Sequence, residues 1–115
     1  MNTVTLSVAS RDNVTHRALA AFEGRTQGAR ISFASADLLW TTLTRKRWEI
    51  LQAMTAQGVL SIREVARRVE RDVKAVHGDI RALIEAGVVE AAEGGGVIFP
   101  YDAVHVDFTL KASAA

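Results

Sequence analysis

Apolar and polar residues alternate strictly along Thr3-Val4-Thr5-Leu6-Ser7-Val8, which places Val4, Leu6 and Val8 on one face of a half-buried strand. Ser10 or Asp12 then offers an N-cap, Val14, Ala18, Ala21 and Phe22 recur at helical spacing, and Gly24 closes that segment. After a Gln27-Gly28 loop, Ile31-Ser32-Phe33 predicts a second short strand. Strand, helix and strand in this order suit a βαβ crossover. Ser35 caps a helical stretch from Ala36 to Leu43, with Leu38, Leu39 and Leu43 apolar, and Trp40 here and Trp48 in the next helix are expected as core anchors rather than as stacking platforms for bases. Thr44 starts the next helix, in which Trp48, Leu51 and Thr55 fall on successive turns and which Gly58 is expected to end.

The following segment has denser punctuation. Ser61-Ile62-Arg63-Glu64 is a capping box, in which the Ser hydroxyl takes a backbone N–H and the Glu reaches back three residues. A short helix, Ile62 to Arg68, should follow and bury Ile62, Val65, Ala66 and Val69. Val69-Glu70-Arg71 is a tight connection, and Asp72 caps a last helix from Val73 to Glu85, with Gly87 as its natural C′ residue. Val73, Val76, Ile80, Leu83 and Ile84 form the apolar stripe of that helix. Val88–Ala92 and Val97–Phe99 flank Glu93-Gly94-Gly95-Gly96, which predicts a hairpin with a glycine-rich tip. Pro100 stops the second arm. Val104, Val106, Phe108 and Leu110 then alternate with His105, Asp107, Thr109 and Lys111 as a final strand.

These elements predict an α+β fold. It consists of a winged helix-turn-helix and a small additional mixed β-sheet, formed by the N-terminal β-α-β segment and the C-terminal strand. The expected division is 1–43 for a dimerisation or partner segment, 44–99 for a DNA-binding domain, and 100–115 for the strand that rejoins the N-terminal sheet, with a tail. The terminal strands are amphipathic and too few to stand without cover. Their edges can pair with another chain.

Composition narrows the class. The chain has 115 residues, of which 49% are hydrophobic and 23% charged, so a core can form and disorder is not expected. No apolar run approaches the roughly 18 residues of a membrane span, and the start of the chain lacks the pattern of a signal peptide. There is no Cys, which removes disulfide and thiolate chemistry and agrees with a cytoplasmic location. The net charge is +1, but its distribution is uneven. Residues 44–87 hold nine basic and six acidic groups, whereas residues 88–115 hold one basic and four acidic. A basic middle is an electrostatic footprint for nucleic acid.

Candidate contacts follow from that middle. Arg45, Lys46, Arg47, Arg63, Arg67, Arg68 and Arg71 are placed to meet phosphates, which supplies affinity and salt dependence but no sequence choice. The last helix displays Lys74, His77, Gly78 and Arg81 opposite its apolar stripe, as a helix lying in the major groove would. Gly78 costs about 1 kcal/mol in a helix interior relative to Ala, a cost that close approach of DNA or of another helix would explain.

Ser61-Ile-Arg-Glu-Val-Ala-Arg-Arg-Val69, Val73-Lys-Ala-Val76 and Ala82-Leu-Ile-Glu-Ala-Gly-Val88 together resemble winged-helix transcriptional regulators of the MarR/ArsR type. The resemblance covers about half of the chain and extends to small prokaryotic regulators of which some are partnered with a toxin. It implies a dimeric, sequence-specific, double-stranded-DNA-binding regulator that acts on its own operon. It implies DNA-facing roles for Asp72, Lys74, Ala75, His77, Gly78 and Arg81. Two features depart from that pattern. The tip carries no basic residue for the minor groove, which leaves it at most backbone N–H groups. The flanks read as strands where MarR-type regulators have long dimerisation helices. The alternative reading is an antitoxin or protein-interaction module that binds a partner protein through its terminal strands.

Other chemistry is not expected. His77-x-Asp79 and His105-x-Asp107 hold too few ligands for a metal site. The Glu93–Gly96 tip lacks the Lys-Ser or Lys-Thr of a phosphate loop. No Ser/His/Asp set has catalytic spacing. Neither a cofactor nor an enzyme activity is expected.

Overall fold

Ser35, Thr44, Ser61 and Asp72 each stand one residue ahead of a helix in the computed structural model, and each side chain accepts a backbone N–H from the first turn. The structure describes residues 2–8 and 29–109. In chain order its elements are β1 (Thr3–Val8), β2 (Ala29–Phe33), α1 (Ala36–Thr42), α2 (Arg45–Met54), α3 (Ile62–Val69), α4 (Val73–Glu85), β3 (Glu90–Ala91), β4 (Val97–Ile98) and β5 (Ala103–Asp107). The fold is a small α+β arrangement. The helix expected over Val14–Phe22, with its caps, falls outside the described residues, as do Leu110 and the tail. No helix among the described residues is long and apolar enough to cross a membrane.

β1 is the centre of a three-stranded sheet ordered β2-β1-β5. Leu6 pairs with Ile31 on one side and Val106 on the other, and both pairings are parallel. The sequence predicts a mixed sheet of the terminal strands; among the described residues their pairings are both parallel, and the antiparallel pairing of β3 with β4 belongs to a separate two-stranded sheet. Parallel strands need a long crossover, and the chain supplies one between β1 and β2 and a much longer one, holding all four described helices, before β5. Val4 and Leu6 are buried, and they share one continuous core with Leu39 and Leu43 of the α1 region, Ile50 and Met54 of α2, Val65 of α3 and Ile80 and Leu83 of α4. The opposite face of the sheet carries the rows Arg30–Thr5–His105 and Ser32–Ser7–Asp107.

The residue ahead of β1 is sewn to the connection between β4 and β5. The Asn2 N–H donates to the Asp102 carboxylate at 2.8 Å, the Asn2 side-chain amide donates to the Pro100 carbonyl at 2.8 Å, and the Asp102 N–H donates to the Asn2 carbonyl at 2.7 Å. The Ala56 N–H donates to the Tyr101 carbonyl at 3.0 Å, which ties the end of α2 to the approach of β5.

Four local expectations are corrected. First, α2 ends at Met54, ahead of Gly58. The Thr55 hydroxyl bonds the Leu51 carbonyl at 2.6 Å, and Ala56 turns left-handed at φ +59° so that its N–H reaches Tyr101. Second, the capping box is half used. Ser61 accepts from the Glu64 N–H at 3.0 Å, but the Glu64 carboxylate engages Arg67 and Arg68. Third, Val73 is 42% exposed, because at the first position of α4 it precedes the turn that meets the other helices. Fourth, Trp40 is not a core anchor. α1 turns Leu39 and Leu43 inward, which leaves Trp40 on a neighbouring face, 48% exposed and edge-on to Phe108 at 5.7 Å.

Candidate nucleic-acid interface

The 13 residues of α4 span about 20 Å. Val76, Ile80 and Leu83 are fully buried and seat the helix against α2 and α3. Its end is closed by a Schellman pair, with the Gly87 N–H on the Ile84 carbonyl at 3.0 Å and the Val88 N–H on the Leu83 carbonyl at 2.9 Å. Gly87 has φ +79°, as this closure requires. Because Val88 and Val89 both give their N–H to Leu83, neither can join a ladder, and β3 is shorter than the expected arm.

This anchoring leaves the opposite stripe free. Lys74, Ala75, His77, Gly78 and Arg81 are all exposed. No described residue pairs with the side chain of Lys74, His77 or Arg81. A Cβ built on Gly78 would meet nothing within 4 Å, so no packing inside the chain requires a glycine there. Asp72 is exposed, but one carboxylate oxygen is occupied by the Lys74 and Ala75 N–H groups at 3.0 and 3.3 Å. Its part is to fix the start of α4.

The basic residues divide sharply. Arg45, Lys46 and Arg63 are exposed, and Arg45 makes only a 3.6 Å pair with Glu49. Arg67 is 71% exposed and holds Glu64 at 2.8 Å, a surface pair that is weak and easily exchanged for a phosphate. The Arg68 side chain is 30% exposed and bridges Glu64 at 2.7 Å to the Gln57 side chain at 2.8 Å. The hydrogen bonds from Arg67 and then Arg68 hold the Glu64 carboxyl down at about 2.

Arg47 and Arg71 are not available in the way the sequence implies. Arg71 Nη2 lies 2.8 Å from one Asp79 oxygen, and Arg47 Nε lies 3.1 Å from the other. All three side chains are only about a fifth exposed. Burial acts to raise the Asp79 pKa, and the Arg71 and Arg47 guanidiniums outweigh it, so the carboxyl stays below its ordinary value. Arg47 also donates to the Thr42 carbonyl at 3.0 Å. Sequence reasoning missed this triad because Arg47 lies 32 residues from Asp79 and each member looks like an ordinary surface charge. The triad also takes Asp79 away from His77. Among the described residues no group of three or more His, Asp or Glu is placed to hold a metal ion.

The β3–β4 hairpin stands beside α4. Leu60 pairs with Val97 through two backbone bonds, N–H to carbonyl at 2.9 Å and in return at 2.8 Å, so the segment before α3 forms a third rung beside β4. Gly96 is required there: its φ is +81°, and a Cβ would lie 2.9 Å from the Leu60 carbonyl oxygen and from Val59. A shallow cleft between hairpin and helix is lined by Ile62, His77, Ile80, Arg81, Ile84 and Val97. Glu85 also lines the cleft, and Glu90 and Glu93 are exposed, whereas the exposed basic side chains of the described helices not held by Glu64 or Asp79 are Arg45 and Lys46 of α2, Arg63 of α3 and Lys74 and Arg81 of α4.

Residues 42–106 match the HVO_A0114 family, which is more than half of the chain. The chain belongs to the HVO_A0114 family. The HVO_A0114 segment opens at the last residue of α1 and closes inside β5. It therefore takes in α2, α3, α4, the hairpin and most of the returning strand, with β1 and β2 outside it. No curated protein and no solved structure matches the chain.

Proposed function

We propose that this chain is a sequence-specific double-stranded-DNA-binding regulator of transcription that acts as a dimer. The unit from α2 to β4 is a winged helix in this reading, with α4 in the major groove. One observation carries the proposal. Lys74, His77, Gly78 and Arg81 form an exposed stripe, its side chains unpaired among the described residues, along one face of a helix whose other face is locked into the core. A helix so anchored presents base-reading groups without loss of packing. The order of helices and hairpin, with its Leu60–Val97 rung, and the resemblance of residues 61–88 to MarR/ArsR-type regulators support the same reading. Arg45, Lys46, Arg63 and Arg67 then contact phosphates, joined by the N–H groups at the start of α3. The hairpin contributes at most backbone N–H groups.

The test is duplex binding at two salt concentrations, with DNA upstream of the chain's own gene against random DNA of equal length. Salt-sensitive affinity with a preference for the upstream duplex is the expected result. No binding to either duplex at low salt would overturn the proposal.

A further inference from the structure

β5 is an outer strand of the sheet among the described residues, and its sequence is complementary to itself under a two-fold axis. Two copies of the same edge related by such an axis pair antiparallel. With the axis at Val106, Val106 faces its own copy, Val104 faces Phe108, and His105 faces Asp107, the last two pairs each occurring twice. This register keeps even-numbered residues opposite even-numbered ones, so the apolar row continues across the junction and the polar row does the same. A shift of one residue that paired odd with even would break both rows. Centring on His105 keeps the rows but sets His105 against itself and Asp107 against Ala103, which loses the imidazole–carboxylate pairs. We propose that β5 joins a second copy of this chain in that register, giving a continuous six-stranded sheet ordered β2-β1-β5-β5-β1-β2.

Three observations support β5 as the joining edge. Val104 and Val106 are only half-buried within one chain, although they stand in the apolar row beside fully buried Val4 and Leu6. Phe108 and the 48%-exposed Trp40, stacked edge-on at 5.7 Å, extend that apolar row beyond the end of β5. The opposite edge, β2, offers no such match: an axis at Ile31 sets Arg30 against Ser32, and an axis at Arg30 sets like charges together. The inference rests on the dimer of the proposed function and supplies its interface.

Sedimentation of the full chain without DNA tests it, so a failure here is separable from a failure of the DNA reading. The wild-type chain should sediment at twice 12.4 kDa. Asp107→Lys should weaken the dimer about tenfold, since the symmetric imidazole–carboxylate pair is lost twice. His105→Glu combined with Asp107→Lys should restore it. Arg30→Asp, on the other edge, should leave it unchanged. Circular dichroism of each variant reports its fold. A monomeric wild-type chain would overturn the inference, whatever its affinity for DNA. So would a dimer weakened by Arg30→Asp and indifferent to Asp107→Lys, or a double variant that stays as weak as Asp107→Lys.

Discussion

Asp79 in α4 and Arg71 in the turn before it are joined by a 2.8 Å ion pair, and Arg47 of α2 closes on the same carboxylate at 3.1 Å. The pair fixes the angle at which α4 leaves the α3–α4 turn and ties it to α2. Removing the carboxylate leaves two largely buried guanidiniums facing each other. Asp79→Ala should cost about 2 kcal/mol, below the value for a fully buried pair because each side chain keeps some solvent contact. Thermal unfolding should show a Tm lower by roughly 10 °C. An unchanged Tm would remove the triad from the account of stability.

The same contact sets a pH dependence. The Asp79 carboxyl lies below its ordinary value of 3.8 in the folded chain. Its contribution is therefore complete above about pH 4 and is lost as pH falls from there through the lowered folded value. Denaturant unfolding between pH 7 and pH 3 should show wild-type stability falling more steeply at the acid end than that of Asp79→Asn. Parallel profiles would show that other carboxylates dominate the acid limb.

The stripe on α4 and the surface arginines should separate in DNA titrations. Lys74→Ala and Arg81→Ala should each cost about 1–3 kcal/mol on a preferred duplex and much less on a random one. Arg63→Ala and Arg67→Ala should weaken both duplexes alike and reduce the salt slope by about 1. Arg71→Ala should instead lower thermal stability, since its guanidinium is committed to Asp79. Equal losses on both duplexes for the α4 variants would argue against base readout.

Gly78 and Gly96 should respond in opposite senses. Gly78→Ala meets open space on a helix and should raise stability by up to about 1 kcal/mol. If the open face is kept for DNA, the same change should weaken duplex binding while the fold improves. Gly96→Ala should destabilise by more than 1 kcal/mol, because the left-handed backbone and the 2.9 Å approach to Leu60 both oppose a Cβ. Melting curves of the two variants, with one duplex titration of Gly78→Ala, check both statements.

Much of this architecture is determined locally and can be read from the sequence alone. Ser35, Thr44, Ser61 and Asp72 announce helix starts because a short polar side chain satisfies an N–H within its own turn, and Gly87 announces an end because a left-handed closure excludes most side chains. The inward and outward faces of α4 follow from helical spacing, which also brings Lys74, His77, Gly78 and Arg81 together. The alternation in residues 3–8 and 104–108 marks strands for the same local reason. What only the tertiary structure decided depends on partners distant in the chain. Arg47, Arg71 and Asp79 each read as a surface charge until α2, the turn and α4 converge. Trp40 reads as a core anchor until Leu39 and Leu43 take the two turns of α1 that face the sheet. Parallel pairing of β5 with β1, and hence which edge is left open, follows from where the helical unit delivers the chain. Local chemistry selects elements and faces, and long-range packing selects which charges are spent and which remain free to bind.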